Sequence, residues 1–163
     1  MSLVLQLNLS RGGLPKRPVP EAFLAPLGFD GDEVAHPGVH GGPEQAVLLV
    51  TAETTDELVA RGFPIFYGAL GENLTVAGID PHAWRSGQRW RIGEATIELT
   101  DLRMPCANLH VYGASLGAQL YDARCKAADI ASPRWAHGGF YARVIRGGLV
   151  AAGAPVVLES DVA

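Results

Sequence analysis

Glycine and proline recur along the whole chain and limit the length of any regular element. The 163 residues include 20 glycines and 11 prolines. Glycine favours turns because it adopts left-handed backbone conformations without a steric penalty, and proline interrupts helices and sheets because it has no backbone N–H to donate. We therefore expect many turns, short strands and no long helix.

The length and the composition predict one globular domain. A domain commonly has about 100–150 residues, apolar residues make up 48% of this chain, and no linker or repeat divides it. We expect a single domain over residues 1–163. The formal net charge of −4 argues against a nucleic-acid partner, since such proteins usually present a basic face.

Neither a secretory signal nor a membrane helix is predicted. The first residues lack a basic segment followed by an apolar stretch. The longest apolar run, residues 46–50, is far shorter than the ~20 residues that span a bilayer. Two cysteines, Cys106 and Cys125, in a chain without a signal suggest a reducing compartment. We expect a cytoplasmic location, although the sequence leaves a disulfide between the two thiols open.

Alternation and short apolar runs predict mostly strands. Residues 3–9 alternate apolar and polar side chains, as a half-buried strand does, and residues 46–50 resemble a buried strand. Gly12, Gly13 and three prolines indicate that residues 10–20 form a loop. A hairpin and two further strands are predicted at residues 88–92, 95–102, 140–145 and 155–159.

Two helices are also predicted. Thr54 and Glu57 have the spacing of a capping box, which starts a short helix that ends before Gly62. Ser115 can cap a second helix that runs to about residue 128, with Cys125 on the polar side opposite an apolar stripe. The stripe consists of Leu116, Leu120, Ala123 and Ala127. Since strands outnumber helices, we predict a mainly β (α+β) fold, a β-barrel with a few short peripheral helices.

Cys106 is the strongest candidate for a reactive residue. It follows Arg103-Met104-Pro105, and Pro105 would end the preceding strand and place the thiol in a loop. A nearby arginine favours the thiolate, which is the nucleophilic and metal-binding form of cysteine. A buried structural cysteine accounts for the same pattern, so the residues alone leave both interpretations open. Cys125 is interpreted as an incidental surface cysteine, with a resolving thiol as the alternative.

Two loops have residues that suit a ligand. In His40-Gly41-Gly42 the glycines let the backbone approach a ligand closely, and the imidazole can donate, accept or ligate. Lys16 and Arg17 lie in a loop rich in glycine and proline, where cations suit phosphate and oxyanion groups. A tight turn with an exposed histidine and a solvated surface loop are the structural alternatives.

A carboxylate stands beside an amide at Glu72 and Asn73, between Gly71 and Leu74-Thr75. Such a pair can hydrogen-bond a pterin-like heterocycle, or it can hold a turn in place. Three further histidines stand alone in the sequence and are interpreted as structural or exposed: His82, His110 and His137.

Five motifs follow one another in an order that is characteristic of one family. They are Gly13-x-Pro15-Lys16, His40-Gly41-Gly42 before Ala46-Val47, Gly71-Glu72-Asn73-Leu74-Thr75, Arg103-x-Pro105-Cys106 and Gly139-Phe140-Tyr141-Ala142-Arg143-Val144. This order resembles the MOSC domain, the C-terminal domain of molybdenum cofactor sulfurases, and it is most similar to the stand-alone bacterial members. The resemblance covers about residues 10–158. It implies a β-rich, barrel-like fold and a cysteine, matched by Cys106, that carries sulfur or ligates molybdenum.

The chain departs from this family pattern at three points. The pyridoxal-phosphate domain of the sulfurases is absent from these residues, so the chain is not expected to desulfurate cysteine itself. Gly153-Ala154 stands where the family often has Gly-Asp near the last strand, which removes any role of that aspartate. Leu102 stands where many relatives have proline before the arginine.

Three functions agree with the resemblance. The first is a molybdenum-cofactor (molybdopterin) enzyme that reduces N-hydroxylated substrates with electrons from a separate donor protein. The second is a sulfur carrier, or sulfurtransferase, in which Cys106 holds a persulfide received from a partner cysteine desulfurase. The third is a non-catalytic module that binds or delivers the cofactor. The sequence indicates no oligomeric state.

Each candidate residue has a role in the first of these functions. Cys106 is the molybdenum ligand and a catalytic residue, since a thiolate is a soft donor for a metal that takes sulfur ligands. His40, Glu72 and Asn73 orient the cofactor or shuttle protons. The remaining cofactor-binding candidates are Lys16, Arg17, Gly41, Gly42, Thr75 and Arg103.

Overall fold

The computed structural model describes residues 1–34 and 41–162, and this part of the chain is mainly β. The strands are β1 Leu3–Leu9, β2 Arg17–Val19, β3 Glu21–Ala25, β4 Gly28–Phe29, β5 Val47–Thr51, β6 Leu74–Ala77, β7 Arg89–Ile92, β8 Ala95–Leu102, β9 Phe140–Arg146, β10 Gly148–Ala151 and β11 Val156–Ser160. The helices are α1 Ala52–Ala60, α2 Leu116–Leu120 and α3 Ala123–Lys126, and 3₁₀ turns lie at Pro43–Gln45, Pro81–Ala83 and Ala107–Tyr112. The prediction of a mainly β fold with a few short helices is confirmed.

Eight strands form one mixed sheet in the order β11-β7-β8-β9-β5-β6-β1-β2. Neighbouring strands are antiparallel except β5 and β6, which are parallel and joined through α1. A parallel pair needs such a crossover because its strands run in the same direction. The predicted hairpin is confirmed, with Ile92 paired with Ala95 beside the turn at Gly93-Glu94.

The large sheet curls back on itself but is not a closed barrel. Leu3 of β1 forms an isolated antiparallel bridge with Pro155, just before β11. The Val4 N–H donates to the Ala154 carbonyl at 2.9 Å, and the Gly153 N–H donates to the Val4 carbonyl at 2.7 Å. Short backbone contacts, rather than a paired strand ladder, therefore bring the two ends of the sheet together.

Several strands lie where the sequence predicted loops or nothing regular. β2 falls inside the predicted loop of residues 10–20 and pairs with the end of β1. Its Pro18 is tolerated because β2 is an edge strand, where a missing N–H costs no ladder bond. A second sheet of three short strands, β10-β3-β4, was also not predicted, nor was β6.

The main core lies against one face of the large sheet. In β8 the alternate residues Ala95, Ile97 and Leu99 are buried. Trp84 and Trp135 pack against Phe140 in edge-to-face arrangements, with ring centroids 6.3 and 6.2 Å apart. A smaller second core lies around Val50, Leu58, Leu70, Leu109, Leu116 and Leu120.

The first helix begins earlier than its predicted capping box. Its N-cap is Thr51, whose hydroxyl accepts a hydrogen bond from the Thr54 N–H at 3.3 Å. Thr54 therefore lies inside α1, and its own hydroxyl bonds that of Thr51. The helix ends at Ala60, one residue before the predicted Arg61, and Gly62 follows its C-cap as predicted.

The predicted helix from Ser115 to about residue 128 is wrong, because the segment forms two short helices. α2 ends at Leu120, and Tyr121 is extended. The Asp122 carboxylate then starts α3 by accepting a hydrogen bond from the Cys125 N–H at 2.9 Å. Ala123 and Ala127 of the predicted apolar stripe are exposed, whereas Cys125, predicted on the polar side, is 4% exposed. Within the described ranges, no helix has the length and hydrophobicity to span a bilayer.

Candidate functional site

A cleft of about 680 Å³ gathers many of the predicted site residues. This volume lies within the ~300–1,000 Å³ of typical small-molecule sites. Lys16, Asn73, Arg103 and Cys106 line the cleft, together with Gly41 and Gly42. Residues far apart in the chain thus share one surface. His40 lies outside the described residues.

The cleft is built where several connections leave the sheets. One wall is the segment from the end of β3 through β4 to Val34, and another is the segment from Arg103 to Asn108 after β8. The loop before β6 supplies Leu70, Gly71 and Asn73. Loops at strand ends suit a ligand because they carry polar side chains on a rigid scaffold.

Asp32 is the hub of a hydrogen-bond network in this cleft. One of its carboxylate oxygens accepts from the Lys16 ammonium at 2.6 Å and from the Ser10 N–H at 2.9 Å. The other accepts from the Asn73 side-chain amide at 2.8 Å. The side chains of Lys16 and Asp32 are only 9% and 11% exposed. The charge of Lys16 is therefore neutralised locally, and its position is fixed by a residue that the sequence did not indicate.

Arg103 holds three segments together under the cleft. Its guanidinium donates to the Leu70 carbonyl at 2.7 Å and to the Gly138 carbonyl at 3.3 Å. Its backbone N–H donates to the Gly139 carbonyl at 2.9 Å. Burial lowers the pKa of Arg103, and the nearby Tyr141, Cys106 and Glu72 oppose that shift. A guanidinium has five N–H groups, so Arg103 keeps donors beyond the two carbonyls.

Cys106 presents a partly exposed thiol to the cleft. It lies in extended backbone at the start of the 3₁₀ turn Ala107–Tyr112, and the residue is partly exposed. Cys125 is free as well, so the structure contains no disulfide between them. The Cys125 thiol is buried and donates to the Ser132 hydroxyl at 3.4 Å. Among the described lining residues, Cys106 carries the only thiol.

Glu72 is fully buried directly behind the cleft wall. Its neighbours Gly71 and Asn73 line the cleft, but Glu72 itself does not. One carboxyl oxygen accepts from the Thr75 hydroxyl at 3.1 Å, and the other has no hydrogen-bond partner in the described part of the chain. Burial raises the pKa of Glu72, against the opposing effects of backbone N–H groups, Thr75 and Arg103. The neutral acid is therefore favoured more than in an exposed glutamate.

We expect Glu72→Gln to remove a pH-dependent loss of stability. Because the native state raises the pKa of Glu72, it binds this proton more tightly than the unfolded state does. The free energy of unfolding should therefore fall as pH rises above the ordinary value of 4.5. Urea denaturation from pH 5 to pH 8 should show a declining curve for the wild type and a flatter curve for the variant.

The exposed Glu21 on β3 supplies the matched control for this experiment. Glu21→Gln makes the same chemical change and should leave the wild-type pH dependence in place. Parallel pH curves for the wild type and Glu72→Gln would contradict the argument from burial.

Besides Glu72, two more predicted residues do not line the cleft. Arg17 is exposed, and its guanidinium lies over the Phe66 ring, 5.7 Å from the centroid. Thr75 is buried behind the wall, where its hydroxyl joins Glu72 to Asn8. Their proposed contacts with a cofactor would therefore require a rearrangement or a ligand that extends past the cleft.

Tyr141 and Asn108 line the cleft but were not singled out from the sequence. Burial raises the pKa of Tyr141, and the nearby Arg103 opposes that shift. Tyr141 lies within the last family motif, which is the one signal that pointed to it. In the described ranges, no three His, Cys, Asp or Glu side chains are grouped closely enough to hold a metal ion.

A family model matches residues 36–157, about three quarters of the chain, and describes the MOSC domain. The chain belongs to the MOSC domain family. Its predicted membership is thereby confirmed. This MOSC chain is 34% identical to the uncharacterized protein YflK of Bacillus subtilis over 152 residues, which is 91% of this chain and 63% of YflK. It is 35% identical to the protein YiiM of Escherichia coli over 148 residues, 87% of this chain and 61% of YiiM.

A solved structure supports the fold independently. The crystal structure of YiiM from Geobacillus stearothermophilus matches with a TM-score of 0.72 at 23% identity, over 98% of this chain and 76% of that chain. The MOSC chain spans a little less than two thirds of the length of YflK and of Escherichia coli YiiM. Those relatives contain residues for which it has no counterpart in the alignment.

Proposed function

We propose that this MOSC chain binds the molybdenum cofactor in the cleft and reduces N-hydroxylated substrates, with Cys106 as a ligand of molybdenum. The family is associated with molybdenum-cofactor binding. The observation that carries the proposal is the partly exposed thiol of Cys106 in the same cleft as Lys16 and Arg103. The proposed location is the cytoplasm, where both cysteines stay reduced.

The residues of the cleft fit this cofactor chemically. A thiolate is a soft donor that suits molybdenum, and Cys106 can approach a ligand from the wall. The ammonium of Lys16 has three N–H donors and uses two of them on Asp32 and Ser10. Lys16 and Arg103 therefore retain donors for a phosphate or a heterocycle oxygen. Asp30 and Glu33, on the opposite wall, are acceptors for the N–H groups of a pterin.

The chain's own residues then have defined tasks. Arg103 and Cys106 line the same cleft, and Asp32 holds Lys16 and Asn73 in fixed positions. The proposed proton carriers are Glu72 and His40. Burial raises the pKa of Glu72 and so helps it to keep its proton. The bound cofactor would supply the two electrons that, with two protons, convert an N–OH group into N–H and water. A separate electron-donor protein would supply those electrons.

The molybdenum content of the wild-type protein tests the proposal. The protein should be purified through a tag that binds no metal, from a host that makes molybdopterin, and analysed for molybdenum per chain. We expect close to one molybdenum per chain and reduction of an N-hydroxylated base with reduced methyl viologen as electron donor. Absence of molybdenum, in a host that fills another molybdenum enzyme, would contradict it.

The same exposed thiol supports the sulfur-carrier alternative, and the same protein distinguishes it. In that case the Cys106 thiolate takes the terminal sulfur from the persulfide of a cysteine desulfurase, and the desulfurase thiol is released. Mass spectrometry after incubation with a desulfurase and cysteine would show one added sulfur on Cys106, without molybdenum. Bound molybdenum with no turnover under any reductant would instead indicate a cofactor-delivery module.

A further inference from the structure

Four arginines form one surface on the outer side of the large sheet, which we call the arginine face. Arg89 and Arg91 belong to β7, and Arg143 and Arg146 belong to β9, with β8 between them. On β8, Glu98 is paired with Arg89 on one side and with Arg143 on the other. Thr96 is paired in the same way with Arg91 and Arg146. Cross-strand partners share a face of the sheet, so the four side chains lie together.

This side of the sheet faces away from the core. Along β8, Thr96 and Glu98 are partly exposed, whereas the intervening Ile97 is buried. The side chains of Arg89, Arg91 and Arg143 are 43%, 52% and 39% exposed. The arginine face is therefore accessible to a partner.

The arginine face carries an excess of positive charge in an acidic chain. Glu98 accepts from the Arg89 guanidinium at 3.1 Å and from the Arg143 guanidinium at 2.6 Å. Arg91 lies 3.8 Å from the Glu159 carboxylate, and Arg146 forms no ion pair with residues 1–34 or 41–162. Four cations thus face two carboxylates, while the whole chain has a net charge of −4.

The arginine face continues into the cleft along β9. Tyr141 lines the cleft, and Arg143 lies two residues further on the same side of the strand. Two residues of a strand span about 7 Å. A protein seated on the arginine face would therefore reach the edge of the cleft that contains Cys106.

We propose that the arginine face docks an acidic electron-donor protein beside the cleft, a proposal that rests on the proposed reductase function. β7 and β9 lie about 10 Å apart, two strand spacings. One small anion cannot pair with all four arginines across that distance, but several carboxylates of a protein surface can. Redox partners typically meet through small, charged interfaces, where opposite charges increase the association rate.

A charge-reversal pair tests the docking surface with an acidic flavodoxin as the probe. Arg91→Glu/Arg146→Glu alters the two arginines that have the fewest contacts in the described structure. We expect the second-order rate of substrate reduction with reduced flavodoxin to fall by about tenfold or more at low salt, as loss of electrostatic steering predicts. Added salt should slow the wild type much more than the variant.

The matched control reverses two exposed cations outside the arginine face, Arg61→Glu/Lys126→Glu, and makes the same change in net charge. Its rate with flavodoxin should stay near that of the wild type. Equal losses in both double variants, or in neither, would overturn the docking proposal. Both variants should keep full turnover with reduced methyl viologen, which needs no docking surface.

Binding without catalysis separates this proposal from the proposed function. Oxidised flavodoxin, titrated into isotope-labelled protein lacking the cofactor, should shift backbone amide NMR signals of Thr96 and Glu98 in the wild type and not in Arg91→Glu/Arg146→Glu. Such shifts would support docking even if no reductase activity were found. A loss of self-association in the variant, measured by sedimentation, would instead identify the arginine face as an interface between two copies. That result would overturn the docking proposal.

Discussion

Cys106→Ser is expected to lower the molybdenum retained per chain by about tenfold or more and to remove measurable turnover. Even substitutions of residues that only contact a metal ligand cost ~10–100-fold in affinity or activity. A serine hydroxyl has a similar size but stays protonated near neutral pH, so it cannot replace a thiolate as a soft ligand. The thiol is partly exposed at the start of a 3₁₀ turn, so the substitution should leave the fold intact. Molybdenum analysis and the viologen assay measure both effects.

Cys125→Ser is the matched control for the Cys106 experiment. Its thiol is buried away from the cleft and donates to Ser132, a bond that a serine hydroxyl can also form. Molybdenum content and turnover should therefore stay near the wild-type values. Full activity with bound molybdenum in Cys106→Ser would show that the thiolate is not the ligand.

Gly68→Ala is expected to reduce the free energy of unfolding by about 3 kcal/mol or more, through backbone strain and overpacking together. Gly68 has φ = 97°, in the left-handed region that favours glycine. An added Cβ would overlap the Lys16 carbonyl oxygen and lie 3.3 Å from the Asn8 side chain. Because the Lys16 N–H donates to the Gly68 carbonyl, the change would also displace the backbone that carries the cleft cation.

Gly62→Ala separates the effect of strain from that of crowding. Gly62 has nearly the same φ, 98°, but no heavy atom lies within 4 Å of an added Cβ. Its cost should therefore be the strain alone, about 1 kcal/mol. Chemical denaturation of the two variants and the wild type gives the comparison. Equal losses of stability would show that the contact between Gly68 and Lys16 does not matter.

The parts of the fold that the sequence predicted are those governed by local pattern. The extent of β1 and the turn between β7 and β8 are encoded within a few residues, and both were predicted correctly. The alternation in β1 was predicted wrongly, because Leu5 is exposed while Val4 and Asn8 are buried, beside an irregularity in the pairing with β6. The second predicted helix failed because helical spacing continues through Tyr121 and Asp122, where the chain is extended. The Asp122 carboxylate caps α3 at this point, and it also accepts a hydrogen bond from the distant Ser132 hydroxyl.

The cleft was predictable only where a motif marked its residues. Asp32 has its partners 16, 22 and 41 residues away in sequence, so no local pattern indicates that it organises Lys16, Ser10 and Asn73. The proximity of Lys16 to Cys106 was likewise implied by the family motifs and not by spacing. Burial separates Glu72 from the cleft, which a list of polar residues does not reveal.

The bridge between Leu3 and Pro155 has a consequence for how the protein is made. The two residues are about 150 positions apart, so β1 leaves the ribosome long before the segment that meets its edge. Until then, the N–H and C=O groups at the start of β1 are open to other chains, as at any unpaired strand edge. Contacts this distant in sequence also slow folding. The nascent chain should therefore need protection from aggregation until the segment around Pro155 has been synthesised.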